Sequence, residues 1–174
     1  LVVAQWMNVF LRKSDVLKIA CLAQIVNVIS PITTTRDSLL KHTTYYPIML
    51  FSRMASGNAL DVAVKAPLIE TREFGAMPAL DVASSHNVET GTGAIFIVNR
   101  SQTDSVTVDV CWQALAPTRV ISAYQIAGTD PKAVNSFEDP ECIVARPIKV
   151  QDVNDGTLTL QLPPLSFTAI EAAF

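Results

Sequence analysis

Metal-binding and redox-active residues are scarce in this sequence: 174 residues contain two histidines and three cysteines, and neither type is clustered. Cys21, Cys111 and Cys142 are odd in number, far apart and follow no CxxC or Cys/His spacing, so they read as buried thiols of a reducing compartment. His42 and His86 stand without Cys, Asp or Glu neighbours at ligand spacing, which makes them surface or core fillers and predicts no metal site. Positive charge is also sparse. Thirteen Lys and Arg face sixteen Asp and Glu for a net charge of -3, and the cations are scattered, so no basic patch is available to neutralise phosphates. Nucleic acid is excluded as a partner on that ground. No apolar stretch is long enough to span a bilayer, and the apolar first ten residues lack the basic start and small-residue cleavage site of a leader.

Carboxylates are missing where hydrolytic chemistry would need them. Residues 1–57 contain only Asp15 and Asp37, so this stretch supplies neither the paired acids of a glycosidase nor the positioned base of a hydrolytic triad. What the chain has in quantity is apolar residues, 49% against 17% charged, enough for a real core.

Over residues 1–13, Gln5, Asn8 and Arg12 recur at spacings of three and four while Val3, Trp6, Met7 and Phe10 fill the opposite side, which predicts an amphipathic helix. Residues 16–23 are almost continuously apolar, interrupted only by Lys18, the pattern of a parallel strand covered on both faces; a short buried helix is the competing reading. Residues 25–38 read as a long connection, followed by a helix starting near Thr43 or Thr44, with Pro47 in its first turn and a stop at Gly57. Beyond Gly57, residues 79–83, 94–98, 106–112, 119–126, 142–150, 158–162 and 167–172 are short, often β-branched segments, several alternating, with Asp155 and Gly156 as a hairpin turn. That pattern predicts an antiparallel β-sandwich, each sheet with one wet and one buried face.

The fold expectation is thus α/β plus all-β: residues 1–57 as a helix–strand–helix fragment of a repeating α/β layer, and residues 58–174 as a β-sandwich. Gln24 ends the apolar run with an uncharged amide, at the place where α/β folds put ligand contacts, and an amide both donates to and accepts from a sugar hydroxyl. Satisfying a backbone group at a strand end is the plainer role for Gln24, and a turn role is the plainer one for Asn27. Trp112, Tyr124 and Phe137 are potential sugar-stacking faces but sit among strand residues, which favours the core. Asn99-Arg100-Ser101 matches a glycosylation sequon of a length that arises by chance, and Glu138, Asp139 and Glu141 form a solvated acidic loop.

With Trp6, the run of residues 18–32 (KIACLAQIVNVISPI), Thr44-Tyr45-Tyr46-Pro47 and Leu50-Phe51-Ser52-Arg53, the sequence resembles the C-terminal part of a family 51 α-L-arabinofuranosidase. Leu80-Asp81-Val82-Ala83, Phe96-Ile97-Val98-Asn99-Arg100 and Leu162-Pro163-Pro164-Leu165-Ser166-Phe167-Thr168 resemble that family's terminal β domain. The resemblance implies the last unit of a (β/α)8 TIM barrel, with residues 1–13 as helix 7, residues 16–24 as strand 8 and residues 43–56 as helix 8, followed by a jelly-roll-like antiparallel sandwich. It implies a retaining, exo-acting glycosidase that removes terminal arabinofuranosyl groups from arabinan- and arabinoxylan-type saccharides, with one glutamate as acid/base, a second as nucleophile and no cofactor. On that mapping both glutamates precede Leu1, no catalytic residue lies in this chain, and the chain alone is inactive. The one substrate-binding residue carried over is Gln24, matching a glutamine that hydrogen-bonds the bound arabinose.

The same resemblance implies arabinose-containing oligosaccharides and the missing N-terminal portion, on the same or a separate chain, as partners. It further implies a homo-oligomer, a cytoplasmic location, and a sandwich that takes strands from before the barrel, leaving an open edge here. Two other readings stand beside it: a non-catalytic β-sandwich that binds carbohydrate or a subunit, and the C-terminal part of another retaining TIM-barrel glycosidase.

Overall fold

The structure is a computed structural model that describes residues 1–151 and 153–174. The first element, α1 (Val2–Arg12), forms where the periodicity places it, with Arg12 in its last turn complementing the helix dipole. Its orientation is the reverse of the expected one. The buried residues are Ala4 and Asn8, with Met7 and Leu11 packed beside them, while Val2, Trp6 and Val9 are exposed. The side that meets the rest of the chain carries Asn8 and Arg12 as well as Ala4, Met7 and Leu11, and it does so through hydrogen bonds beside apolar packing.

No strand forms over residues 16–24. The segment is irregular, and Val16, Ile19 and Leu22 are exposed, as are Ile25, Val28 and Ile29 beyond it. The physical reason is pairing: a strand in a parallel sheet needs hydrogen-bonded neighbours, and nothing in the described residues offers this run an edge. The long connection expected over residues 25–38 contains regular structure of its own. It holds the first half of a small antiparallel ribbon, β1 (Ile32–Thr34) paired with β2 (Leu39–Lys41), Ile32 opposite Lys41 and Thr34 opposite Leu39.

The second helix, α2 (Tyr45–Met54), begins after Thr44, whose hydroxyl makes no capping bond, and carries Pro47 in its first turn. It buries Pro47, Leu50, Phe51 and Met54. Gly57, at φ +74, then turns the chain into β3 (Asn58–Ala59); a Cβ there would lie 2.3 Å from the carbonyl oxygen of His86, so only glycine fits.

The remaining strands are β4 (Leu68–Thr71), β5 (Gly75–Pro78), β6 (Leu80–Asn87), β7 (Thr92–Asn99), β8 (Val106–Cys111), β9 (Arg119–Ala127), β10 (Arg146–Pro147), β11 (Thr157–Leu162) and β12 (Ser166–Ala173). Six of the strands form one antiparallel sheet in the order β10-β9-β12-β7-β6-β3; β8 and β11 form a second sheet, and β4 with β5 a separate hairpin. Of the expected strand at residues 142–150 only β10 exists, because much of that stretch belongs to a long loop.

At its centre, β7 and β12, the six-stranded sheet is buried on both faces, unlike the half-wet sheet expected from alternation. Ala94, Phe96 and Val98 of β7, with Phe167 and Ala169 of β12, meet Leu50, Phe51 and Met54 of α2. Ile95, Ile97 and Ile170 point the other way, onto Leu158, Leu160 and Leu162 of β11. The second sheet does alternate, with Leu158, Leu160 and Leu162 inward and Thr159 and Gln161 exposed. On the helix side, the Phe51 ring stacks on Phe96 at 3.8 Å between centroids and on Phe167 at 5.9 Å. One core therefore joins α2 to the sandwich across Gly57.

The cysteines are free and exposed, not buried. Cys111 lies on the wet face of β8 in register with Thr107 and Asp109, so alternation places it outside.

Candidate functional site

The apolar run ends in a tight turn. Gln24, Asn27 and Val28 have φ of +55, +63 and +59, three of the five non-glycine residues with left-handed backbone among those described. For a β-branched valine this conformation is a steric outlier, and it persists only where surrounding bonds hold it. Here those bonds come from β1. The Asn27 amide N–H donates to the Ile32 carbonyl at 2.7 Å; the Asn27 side-chain oxygen accepts from the Thr34 amide at 2.8 Å, and its Nδ2 donates to the Thr34 hydroxyl at 3.2 Å. Val26 bridges to Ile32 beside them. Asn27 is thus occupied with the turn, the plainer of its two roles.

Gln24 sits at the start of this turn, exposed, and no hydrogen bond within the described residues engages its amide. It is available to an external group. Two cavities lie elsewhere, and Gln24 lines neither.

The first cavity, about 580 Å³, lies between the two sheets on the side of β8 away from β11, lined by Val82, His86, Ile95, Val110, Trp112 and Phe174 among others. Its walls are mostly apolar, and among the described residues β8 pairs on one side only. The His86 ring packs on Phe174 at 4.6 Å between centroids, and its Nε2 is buried without a hydrogen-bond partner among the described residues. His42 is structural: its Nε2 lies 2.7 Å from the Thr33 hydroxyl. Among the described residues no group of three or more His, Cys, Asp or Glu side chains is placed to hold a metal, and no helix is long and apolar enough to cross a membrane.

The aromatic residues do not form a platform. Trp112 packs toward the inter-sheet core, Tyr124 toward the helix-side core, and Phe137 is exposed on the long loop. Asn99 of the sequon is fully buried, its Nδ2 donating to the carbonyls of Asp104, Leu162 and Pro163 at 2.9, 3.1 and 2.8 Å, so it is closed to modification in the folded protein. Hydrogen bonding to Ser136 holds the Glu138 carboxyl below its usual range. Burial, then the nearby Glu141 and Tyr45, push the Tyr46 phenol up.

Sequence reading missed Asn135. It is buried in the loop after β9, where its Nδ2 donates to the Lys41 carbonyl at 2.9 Å and the Ile143 carbonyl at 3.0 Å while its Oδ1 accepts from the Ile143 amide at 2.8 Å. An asparagine among loop residues carries no local sign of such a role.

The alpha-L-arabinofuranosidase C-terminal domain model matches residues 1–166. The chain belongs to that family. Over 94% of its length it is 35% identical to an intracellular exo-alpha-(1->5)-L-arabinofuranosidase of Streptomyces lividans, covering 25% of that protein. It is 30% identical over 94% of its length to an exo-alpha-(1->6)-L-arabinofuranosidase of Bifidobacterium longum, covering 32% of it. A solved family 51 alpha-L-arabinofuranosidase from Bifidobacterium longum superposes with a TM-score of 0.91 at 30% identity, over 98% of this chain and 34% of that one. The chain therefore spans about a quarter to a third of the length of these relatives.

Proposed function

We propose that the protein is the C-terminal portion of a retaining, exo-acting α-L-arabinofuranosidase, in which residues 1–57 complete a (β/α)8 barrel and Gln24 orients the terminal arabinofuranose. The observation that carries this reading is the turn at residues 24–28: a strained backbone, braced by Asn27 and Thr34, presents an unengaged amide at the end of an apolar run. Strain of that kind collects at binding and catalytic sites. The Gln24 amide would hold a ring hydroxyl and so keep the anomeric carbon in line with a nucleophile supplied from outside this chain.

The pattern of exposure supports the same reading. Trp6 and Val9 of α1, with Val16, Ile19 and Leu22, form apolar surface on one continuous stretch of chain, the surface that the other barrel units would cover. The open flank of β8 offers a second seat for the N-terminal portion. A stand-alone carbohydrate-binding sandwich has no use for this helix-and-run preface.

The reaction needs two carboxylates on either side of the scissile bond, both from the N-terminal portion, and no cofactor. The substrates would be arabinose-containing oligosaccharides, the location intracellular as in the names of several relatives, and the assembled enzyme a homo-oligomer. Because relatives named for both 1→5 and 1→6 linkages match comparably, linkage preference would be set by the N-terminal portion.

Kinetics of the complete enzyme on an aryl arabinofuranoside test this. Gln24→Ala is expected to lower kcat/KM by about 1–3 kcal/mol, the usual size for a lost positioned hydrogen bond. Wild-type kinetics in that variant would remove Gln24 from the site.

A further inference from the structure

The ribbon of β1 and β2 is three residues per strand, too short to be stable by itself. Its register explains what holds it. His42 N–H bonds to the Pro31 carbonyl at 2.9 Å, so the residues paired next to them, Ile32 and Lys41, are a non-hydrogen-bonded pair whose peptide groups face outward from the ribbon. Both outward carbonyls are used. The Ile32 carbonyl accepts from the Asn27 amide on the turn side, and the Lys41 carbonyl accepts from Asn135 Nδ2 on the sandwich side.

We propose that Asn135 is a positioning residue for the Gln24 turn: through Lys41, Ile32 and Asn27 it fixes the ribbon against the sandwich, and so sets where the Gln24 amide stands. The inference rests on the site reading above. Asn135 cannot shift freely, because the same amide is locked to both the N–H and the carbonyl of Ile143, eight residues along its own loop. The terminal sandwich thereby takes part in sugar binding without touching the sugar. Asn135 is the sandwich's side-chain hydrogen bond to the ribbon among the described residues, spanning 94 positions in sequence.

A double-mutant cycle in the complete enzyme tests it. Asn135→Asp keeps the acceptor for Ile143 N–H and puts an oxygen in place of the Nδ2 that donates to the Lys41 and Ile143 carbonyls. It is expected to lower kcat/KM on an aryl arabinofuranoside at least about tenfold, within the roughly hundredfold that a misplacement of about 1 Å can cost from a distance. The same substitution introduced into Gln24→Ala is expected to change kcat/KM by less than about twofold, because the group it positions is gone. A merely structural role predicts equal losses in the two backgrounds, and that result, or an Asn135→Asp single variant within about twofold of wild type, overturns the inference. Should Asn135→Asp fail to fold, Asn135→Ser, which retains a donor on a shorter side chain, is put through the same cycle with the same criteria. Wild-type kinetics in Gln24→Ala would instead overturn the site reading, and this role with it; a defective Gln24→Ala beside additive Asn135 losses overturns this role alone.

Discussion

The Arg12 guanidinium stands 3.0 Å from the Asp81 carboxylate, joining the last turn of α1 to β6. Asp81 also accepts from the fully buried Asn8 Nδ2 at 2.8 Å, and Arg12 donates to the Val82 carbonyl at 2.7 Å. The helix is thus fastened to the sandwich by charge and amide groups, while its apolar residues Trp6 and Val9 stay exposed. Asp81→Ala would leave a half-buried guanidinium without its counter-ion and one Asn8 donor weakened. A loss of about 1–3 kcal/mol in unfolding free energy by denaturant titration is expected, larger than for a surface pair because the Asn8 contact is buried.

Phe51 bridges α2 and the sheet by stacking on Phe96 and Phe167. Phe51→Ala would open a cavity at the centre of the helix-side core and is expected to cost about 3–5 kcal/mol. Urea unfolding of Phe51→Ala and Phe51→Leu checks this, the leucine variant losing distinctly less.

Asn99 matches a glycan-acceptor triplet in sequence and in structure is a tie between the end of β7 and the end of β11 with the proline that follows it. Expressed through a secretory pathway, the folded protein is expected to carry no glycan at Asn99, by intact mass. Asn99→Ala would leave three carbonyls short of a donor and destabilise by about 2–4 kcal/mol.

Tyr46 gives a pH dependence with a definite sign. Its folded pKa is raised above the ordinary phenol value of about 10, chiefly by burial, so the fold favours the neutral phenol. That contribution is complete below pH 10 and is lost as pH rises through the folded pKa. In Tyr46→Phe the fall of unfolding free energy above pH 10 is expected to be shallower than in wild type; an identical slope would rule Tyr46 out as its source.

Much of the sandwich was legible because its strands carry their pattern locally: Val106-Thr107-Val108-Asp109-Val110 and Leu158-Thr159-Leu160-Gln161-Leu162 became β8 and β11 with their paired registers intact. Strands β3, β4 and β5 are short or lie in mixed sequence and gave no signal, and β1 and β2 hide in a threonine-rich stretch where the pairing partner decides. Asp155 and Gly156 do form a left-handed turn, at φ +47 and +72, but among the described residues it closes onto Asn154 and Thr157 alone, and β11 pairs with β8.

Periodicity located α1 but could not say which face has a neighbour. The helix turns Asn8 inward because Asp81 is there to receive it, a fact 73 positions away. Residues 16–24 make the same point: an apolar run announces burial, and a strand appears only when partners exist. For the candidate site, Gln24 and the turn at Asn27 were visible in sequence, whereas the left-handed backbone of Val28 and the clasp by Asn135 depend on long-range contacts.

A structure of the complete enzyme with arabinose bound is the most direct measurement. The account predicts residues 16–24 paired as a barrel strand, with the Gln24 amide within about 2.7–3.2 Å of a ring hydroxyl and two carboxylates flanking the anomeric carbon. A sugar bound with Gln24 turned away from it, or residues 16–24 left unpaired in the whole molecule, would contradict the account.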